Sequence, residues 1–142
     1  MAENQQRLEQ LIFELNQYQA NAEVLRANLE AVEAQINQIT ITGVTLDGLS
    51  KSKEDQEILI PIGSNSFVFA KLQDVQKVII GVGSDVAIES NIENAQERLG
   101  NRMRELREVS TTLQNQLRGS IQKVEELRAQ VQEIYNKTQQ QQ

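Results

Sequence analysis

Residues 57 to 72 read Glu57-Ile-Leu-Ile-Pro-Ile-Gly-Ser-Asn-Ser-Phe-Val-Phe-Ala-Lys-Leu72. Two runs rich in β-branched and aromatic residues, Glu57 to Ile62 and Ser66 to Leu72, flank the turn triplet Gly63-Ser-Asn65. That order predicts a β-hairpin. Strand alternation puts Phe67 and Phe69 on one face and Val68, Ala70 and Leu72 on the other, while Ile58, Ile60 and Ile62 share a face. Strands apolar on both sides are normally buried or belong to a closed barrel. Pro61 has no N–H to donate and favours an edge.

Further along the chain, Lys77-Val-Ile-Ile-Gly-Val82 predicts a third strand, with Val78, Ile80 and Val82 sharing a face. A turn at Gly83-Ser84-Asp85 leads to a short fourth strand, Val86-Ala-Ile88. On the other side, residues 44 to 52 suit one or two helical turns capped by Thr45 or Asp47. Five of the seven glycines and the single proline lie between residues 40 and 87, so turn punctuation is confined to the middle.

The flanks are helical. Leu8, Leu11, Leu15, Tyr18, Ala22, Leu25, Leu29, Val32, Ile36 and Ile39 follow an unbroken 3–4 spacing. A heptad this long predicts a left-handed supercoil with a partner helix. Ile88, Ile92, Ala95, Leu99, Met103, Leu106, Val109, Leu113, Leu117, Ile121, Val124, Leu127, Val131 and Ile134 continue the theme. Their two steps of four at 113–117–121 read as a stutter. Ser90 and Asp85 are candidate caps, and Glu89, Glu93 and Glu97 suit the first turns of this helix. The expected division is residues 1–39, an N-terminal coiled-coil helix; 40–87, a β-hairpin oligomerisation region; and 88–142, a C-terminal coiled-coil helix. Folded as an antiparallel pair, Ile39 is expected near Ile92 and Leu8 near Ile121 to Val124, with both termini at a free end. The tail Gln139 to Gln142 has no apolar residue and is expected to fray.

Composition narrows the chemistry. The chain has 142 residues, a net charge of −6, and no Cys, His or Trp. Disulfides, thiolate nucleophiles, thiolate metal sites and histidine bases or ligands are excluded, and no catalytic residue, metal ligand or cofactor site is assigned. The acidic balance argues against nucleic acid as a partner. The N-terminal Met-Ala-Glu-Asn-Gln-Gln has neither a basic nor an apolar region, so no secretory leader is expected. The longest apolar run, Val78 to Gly83, is far too short for a membrane span, and a cytoplasmic protein is expected.

A 48-residue insert without cysteine or histidine has no disulfide or zinc to staple it. Two open hairpins also leave unpaired edges. Several chains are therefore expected to pool their strands into a shared β-core bearing coiled-coil arms. Near the termini, Ile12 and Phe13 fall at e and f positions, and Ile134 and Tyr135 are adjacent, so a narrow seam cannot take all four. Such residues form a candidate apolar surface for segments of another chain. Other motifs are weaker. Gly81-Val-Gly83 lacks the third glycine of a dinucleotide fingerprint. Lys51-Ser52 lacks the glycine of a phosphate loop. Asp47, Glu54, Asp55 and Glu57 lack calcium-loop spacing.

The helix–strands–helix order, Ile60-Pro-Ile-Gly-Ser-Asn-Ser-Phe-Val-Phe-Ala-Lys71 and Val78-Ile-Ile-Gly-Val-Gly-Ser-Asp-Val-Ala-Ile-Glu89 resemble the α class of the archaeal prefoldin family, also called GimC. The resemblance covers nearly the whole chain, and two hairpins rather than one mark the α class. It implies an α+β fold: an antiparallel two-helix coiled-coil arm, with two β-hairpins that oligomerise into a β-barrel platform. It also implies a hexamer of two α and four β-class subunits, which captures non-native polypeptides without ATP and delivers them to a group II chaperonin. By position, Ile58, Ile60, Ile62, Phe67, Val68, Phe69, Leu72, Val78, Ile80 and Val82 are the implied assembly residues. Leu8, Leu11, Ile12, Phe13, Val131, Ile134 and Tyr135 are the implied client contacts. The rival expectation is a structural coiled-coil scaffold that binds one fixed, folded partner.

Overall fold

A computed structural model describes residues 2–141; Met1 and Gln142 lie outside the described residues, and with them the ends of the expected first and last segments. The element order is α1 (Ala2–Ser50), β1 (Glu57–Gly63), β2 (Ser66–Lys71), β3 (Lys77–Gly83), β4 (Val86–Asn91) and α2 (Ile92–Gln140). The chain forms two compact units. One comprises residues 1–35 and 106–142, the other residues 36–105.

In the first unit α1 and α2 run antiparallel as a coiled coil. Leu11, Ala22 and Leu25 of α1 and Leu106, Val124 and Leu127 of α2 are buried in its seam. Asn21 Nδ2 donates to Ser120 Oγ across the pair at 3.3 Å. Near the termini, Asn4 and Arg7 line one groove with Gln130, Glu133 and Ile134. Leu8 is therefore level with the neighbourhood of Ile134, not with Ile121 to Val124 as expected. The expected stutter is also corrected. The seam takes Ser110 (9% exposed) and Ser120 (6%), while Val109 faces solvent. Substituting these serines into the series gives 103, 106, 110, 113, 117, 120, 124, 127, 131 and 134, a strict 3–4 alternation. Helix geometry, being continuous, decides which side chain faces the partner, and the apolar neighbours Val109 and Ile121 lie one residue off that line.

The second unit holds the end of α1, both hairpins and the start of α2. Here α1 does not stop at residue 39 but runs to Ser50. Gly43 and Gly48, read as turn residues, sit inside it. A glycine costs only about 1 kcal/mol in a helix interior. Burying Leu46 against Ile92 and Ala95 offsets that cost. The extra eleven residues explain why Leu46, and not Ile39, meets Ile92. The helix ends with the Lys51 and Ser52 N–H groups bonded to the Gly48 and Leu49 carbonyls. Asp47, in the last turn of α1, pairs with Lys51 just beyond it at 3.1 Å and caps no helix start.

Each hairpin is a separate two-stranded antiparallel sheet, and neither is closed in the single chain. Both have the same build. Glu57 pairs with Lys71 and Gly63 with Ser66; twenty residues later Lys77 pairs with Asn91 and Gly83 with Val86. Ser64-Asn65 and Ser84-Asp85 all have positive φ, which makes both two-residue loops type I′ turns, the turn whose twist matches the flanking strands. A glycine at φ 107° precedes each, at a register shift that an L side chain would strain. β4 continues to Asn91, past the expected end at Ile88. This removes Glu89 from the helix and leaves Ser90 in the sheet, opposite Val78. The true cap of α2 is Asn91, whose Oδ1 accepts from the Asn94 N–H at 2.7 Å. The C-terminal helix persists through Gln140.

Candidate protein-binding surfaces

The hairpins present apolar side chains to water. In the first, cross-strand pairs Leu59–Phe69 and Pro61–Phe67 make one face, and Ile58–Ala70 and Ile60–Val68 the other. Phe69 is 75% exposed, and Leu59, Ile62 and Phe67 are more than half exposed. Ile60 and Val68 are somewhat less so, and Ile58 is half-buried. Leu72, expected as a strand residue, lies just beyond β2. It extends the pairing through its N–H to the Gln56 carbonyl and its carbonyl to the Asp55 N–H.

The second hairpin is used differently. Val78 and Ile80, expected as assembly residues, pack within the chain against Leu46, Ile92 and Ala95. The opposite face carries Ile79, three-quarters exposed, beside an exposed Lys77–Glu89 ion pair at 3.8 Å. Val82, Val86 and Ile88 are exposed near the turn and along β4. The same strand chemistry thus gives one hairpin open on both faces and one already seated on the helices.

The expected contacts near the termini fall into two groups. Leu11 is buried in the coiled-coil seam, and Leu8, Val131 and Ile134 are half-buried. Ile12, Phe13 (63% exposed) and Tyr135 point away from it. An a/d seam has room for one side chain per turn of each helix, so neighbours of seam residues are pushed outward. The result is an exposed pair on α1, Ile12 and Phe13, and an exposed tyrosine on α2, within the same unit. On an exposed face of α2, Arg102 pairs with Glu105 at 3.1 Å. Among the described residues no group of His, Cys, Asp or Glu could hold a metal ion, and no helix is long and apolar enough to cross a membrane.

Two long helices paired over heptads, with two open β-hairpins between them, define a helical-hairpin protein with an exposed β insert. A family model described as "Prefoldin subunit" matches residues 18–137. The chain belongs to the prefoldin family. The prefoldin subunit alpha of Pyrococcus horikoshii is 33% identical over 138 residues, covering 96% of this chain and 93% of that relative. The prefoldin subunit alpha of Methanopyrus kandleri is 33% identical over 115 residues, covering 81% and 73%. Among solved structures, the chain resembles the filamentous PFD of Methanocaldococcus jannaschii, solved by cryo-EM, with a TM-score of 0.69 and 27% identity over 81% of this chain and 95% of that one. The crystal structure of the prefoldin beta subunit from Thermococcus strain KS-1 shares the fold, with a TM-score of 0.59 at 15% identity over 89% and 90%.

Proposed function

We propose that this chain is the α-type subunit of an ATP-independent holdase of the cytoplasm. In this reading two α-type and four β-class subunits pool their hairpins into a β-barrel platform. The observation that carries it is the exposure of Leu59, Ile62, Phe67 and Phe69 on a hairpin open on both faces. Burying one such side chain is worth about 1.5–3 kcal/mol, so a partner sheet gains several-fold that amount. Non-native polypeptides are held by Ile12, Phe13 and Tyr135, with Leu8, Leu11, Val131 and Ile134 forming the seam beneath them. Each site is weak and broad, and several chains acting together supply the affinity. Captured chains then pass to a group II chaperonin.

The test is to mix the chain with a β-class subunit and follow mass by native mass spectrometry and aggregation of a denatured client by light scattering. The expected outcome is a hexamer of two and four that suppresses aggregation without ATP. Saturable binding of one folded partner, with no preference for unfolded chains, would instead identify a structural scaffold. A chain that stays monomeric in the mixture at micromolar concentration would refute the assembly.

A further inference from the structure

Seven consecutive residues of α1, Ile39-Thr-Ile-Thr-Gly-Val-Thr45, are six β-branched residues and a glycine. All are poor helix formers, because branching at Cβ restricts χ1 and glycine pays the largest backbone entropy. The hydroxyls of Thr40, Thr42 and Thr45 donate to carbonyls four residues back, those of Ile36, Gln38 and Ile41, at 2.9, 2.9 and 3.1 Å. Such back-bonding competes for the helix's own acceptors and slightly destabilises a helix.

Packing of the stretch's own side chains does not repair the local deficit. Ile41 and Val44 are 67% and 70% exposed. Gly43 falls on the heptad line between Ile39 and Leu46, yet has no side chain to insert, and nothing lies within 4 Å of where a Cβ would stand. Between Ile39 and Leu46, α1 therefore places no apolar knob in the seam. The partner helix is flawed at the same level. Leu46 packs with Ala95 and Leu99. The helices run in opposite directions, so one turn before Leu46 meets one turn after Ala95. Gly100 lies there, and the spacing Ala95, Leu99, Met103 departs from 3–4 to two steps of four.

We propose that this level is a joint, where residues 39–45 open to non-helical backbone far more readily than the rest of α1. Opening exposes no buried side chain between Ile39 and Leu46, so α1 can bend there while the seam on either side stays closed. This goes beyond the chaperone reading and does not depend on it.

Hydrogen exchange of the full-length chain, read by mass spectrometry and corrected for intrinsic rates, tests it. Amides of residues 41–47 are expected to exchange at least about tenfold faster than those of residues 23–33. Equal protection would overturn the joint. In the variant Thr40→Gln/Thr42→Gln/Gly43→Ala, exchange at 41–47 is expected to slow by about tenfold, with the amides of Val78 to Val82 unchanged. An unchanged rate at 41–47 would likewise overturn it. Should the variant lose its helical circular dichroism, the wild-type comparison alone decides.

Discussion

Asn21 and Ser120, 99 positions apart in sequence, meet through a side-chain hydrogen bond of 3.3 Å across the coiled coil. The contact assigns Ser120 to the seam, beside a buried Ala22. A small, polar layer therefore stands where the apolar pattern would have placed Ile121.

The first prediction follows from the corrected seam. Ser110→Asp buries an unpaired carboxylate and is expected to cost about 2 kcal/mol or more. Val109→Asp, one residue away on the exposed face, is expected to stay within about 0.5 kcal/mol. Thermal melts followed by circular dichroism separate the two, and the seam assignment fails if Val109→Asp is the more damaging.

For assembly, the most exposed aromatic is the most informative. Phe69→Ser combined with Ile60→Ser removes apolar contact from both faces of the first hairpin. Each substitution is expected to weaken association by about 1.5–3 kcal/mol. Sedimentation of the mixture with a β-class subunit should show loss of the hexamer while helix content is retained. An intact hexamer would mean that this hairpin lies outside the interface.

Client capture is expected to depend on the outward-facing residues near the termini. Phe13→Ser/Tyr135→Ser leaves Leu11 in the seam and should preserve assembly, yet raise the amount of protein needed to suppress aggregation several-fold. The coarser test removes residues 1–13 and 131–142 and should abolish capture. Undiminished capture by both would refute the assignment.

The turns supply a stability test. Both loops hold non-glycine residues at positive φ, with Ser64 at 49° and Asn65 at 57°. Replacing Ser64-Asn65 by Asn-Gly meets the demands of a type I′ turn and is expected to stabilise the hairpin by about 0.5–1 kcal/mol. Gly63→Val, at φ 107°, is expected to cost about 1–3 kcal/mol. Denaturant melts of the full chain report both.

Much of the fold is legible in the sequence. The heptad through Ile39 and the hairpin at Gly63-Ser-Asn65 are local signals, and local signals survive in sequence. The end of α1 is obscured in the sequence because Gly43 and Gly48 resemble turn punctuation; the countersignal is Leu46, one heptad after Ile39. The equivalence of the two hairpins was also present, in Ile60-Pro-Ile-Gly-Ser-Asn65 and Ile80-Gly-Val-Gly-Ser-Asp85. Their common register made it visible.

By itself, the sequence determined the element types and the antiparallel helix pair, because periodicity and turn chemistry act through neighbours in the chain. Tertiary structure alone decided how chemically similar residues are used. Val78 and Ile80 became internal packing while Phe67 and Phe69 stayed open. Leu11 became seam while Phe13 became surface. Ser110 and Ser120 displaced more hydrophobic neighbours from the interior. The physical reason is the same in each case. Burial is set by where a rigid helix or sheet points a side chain, and hydrophobicity can favour that placement but cannot rotate a single residue out of register.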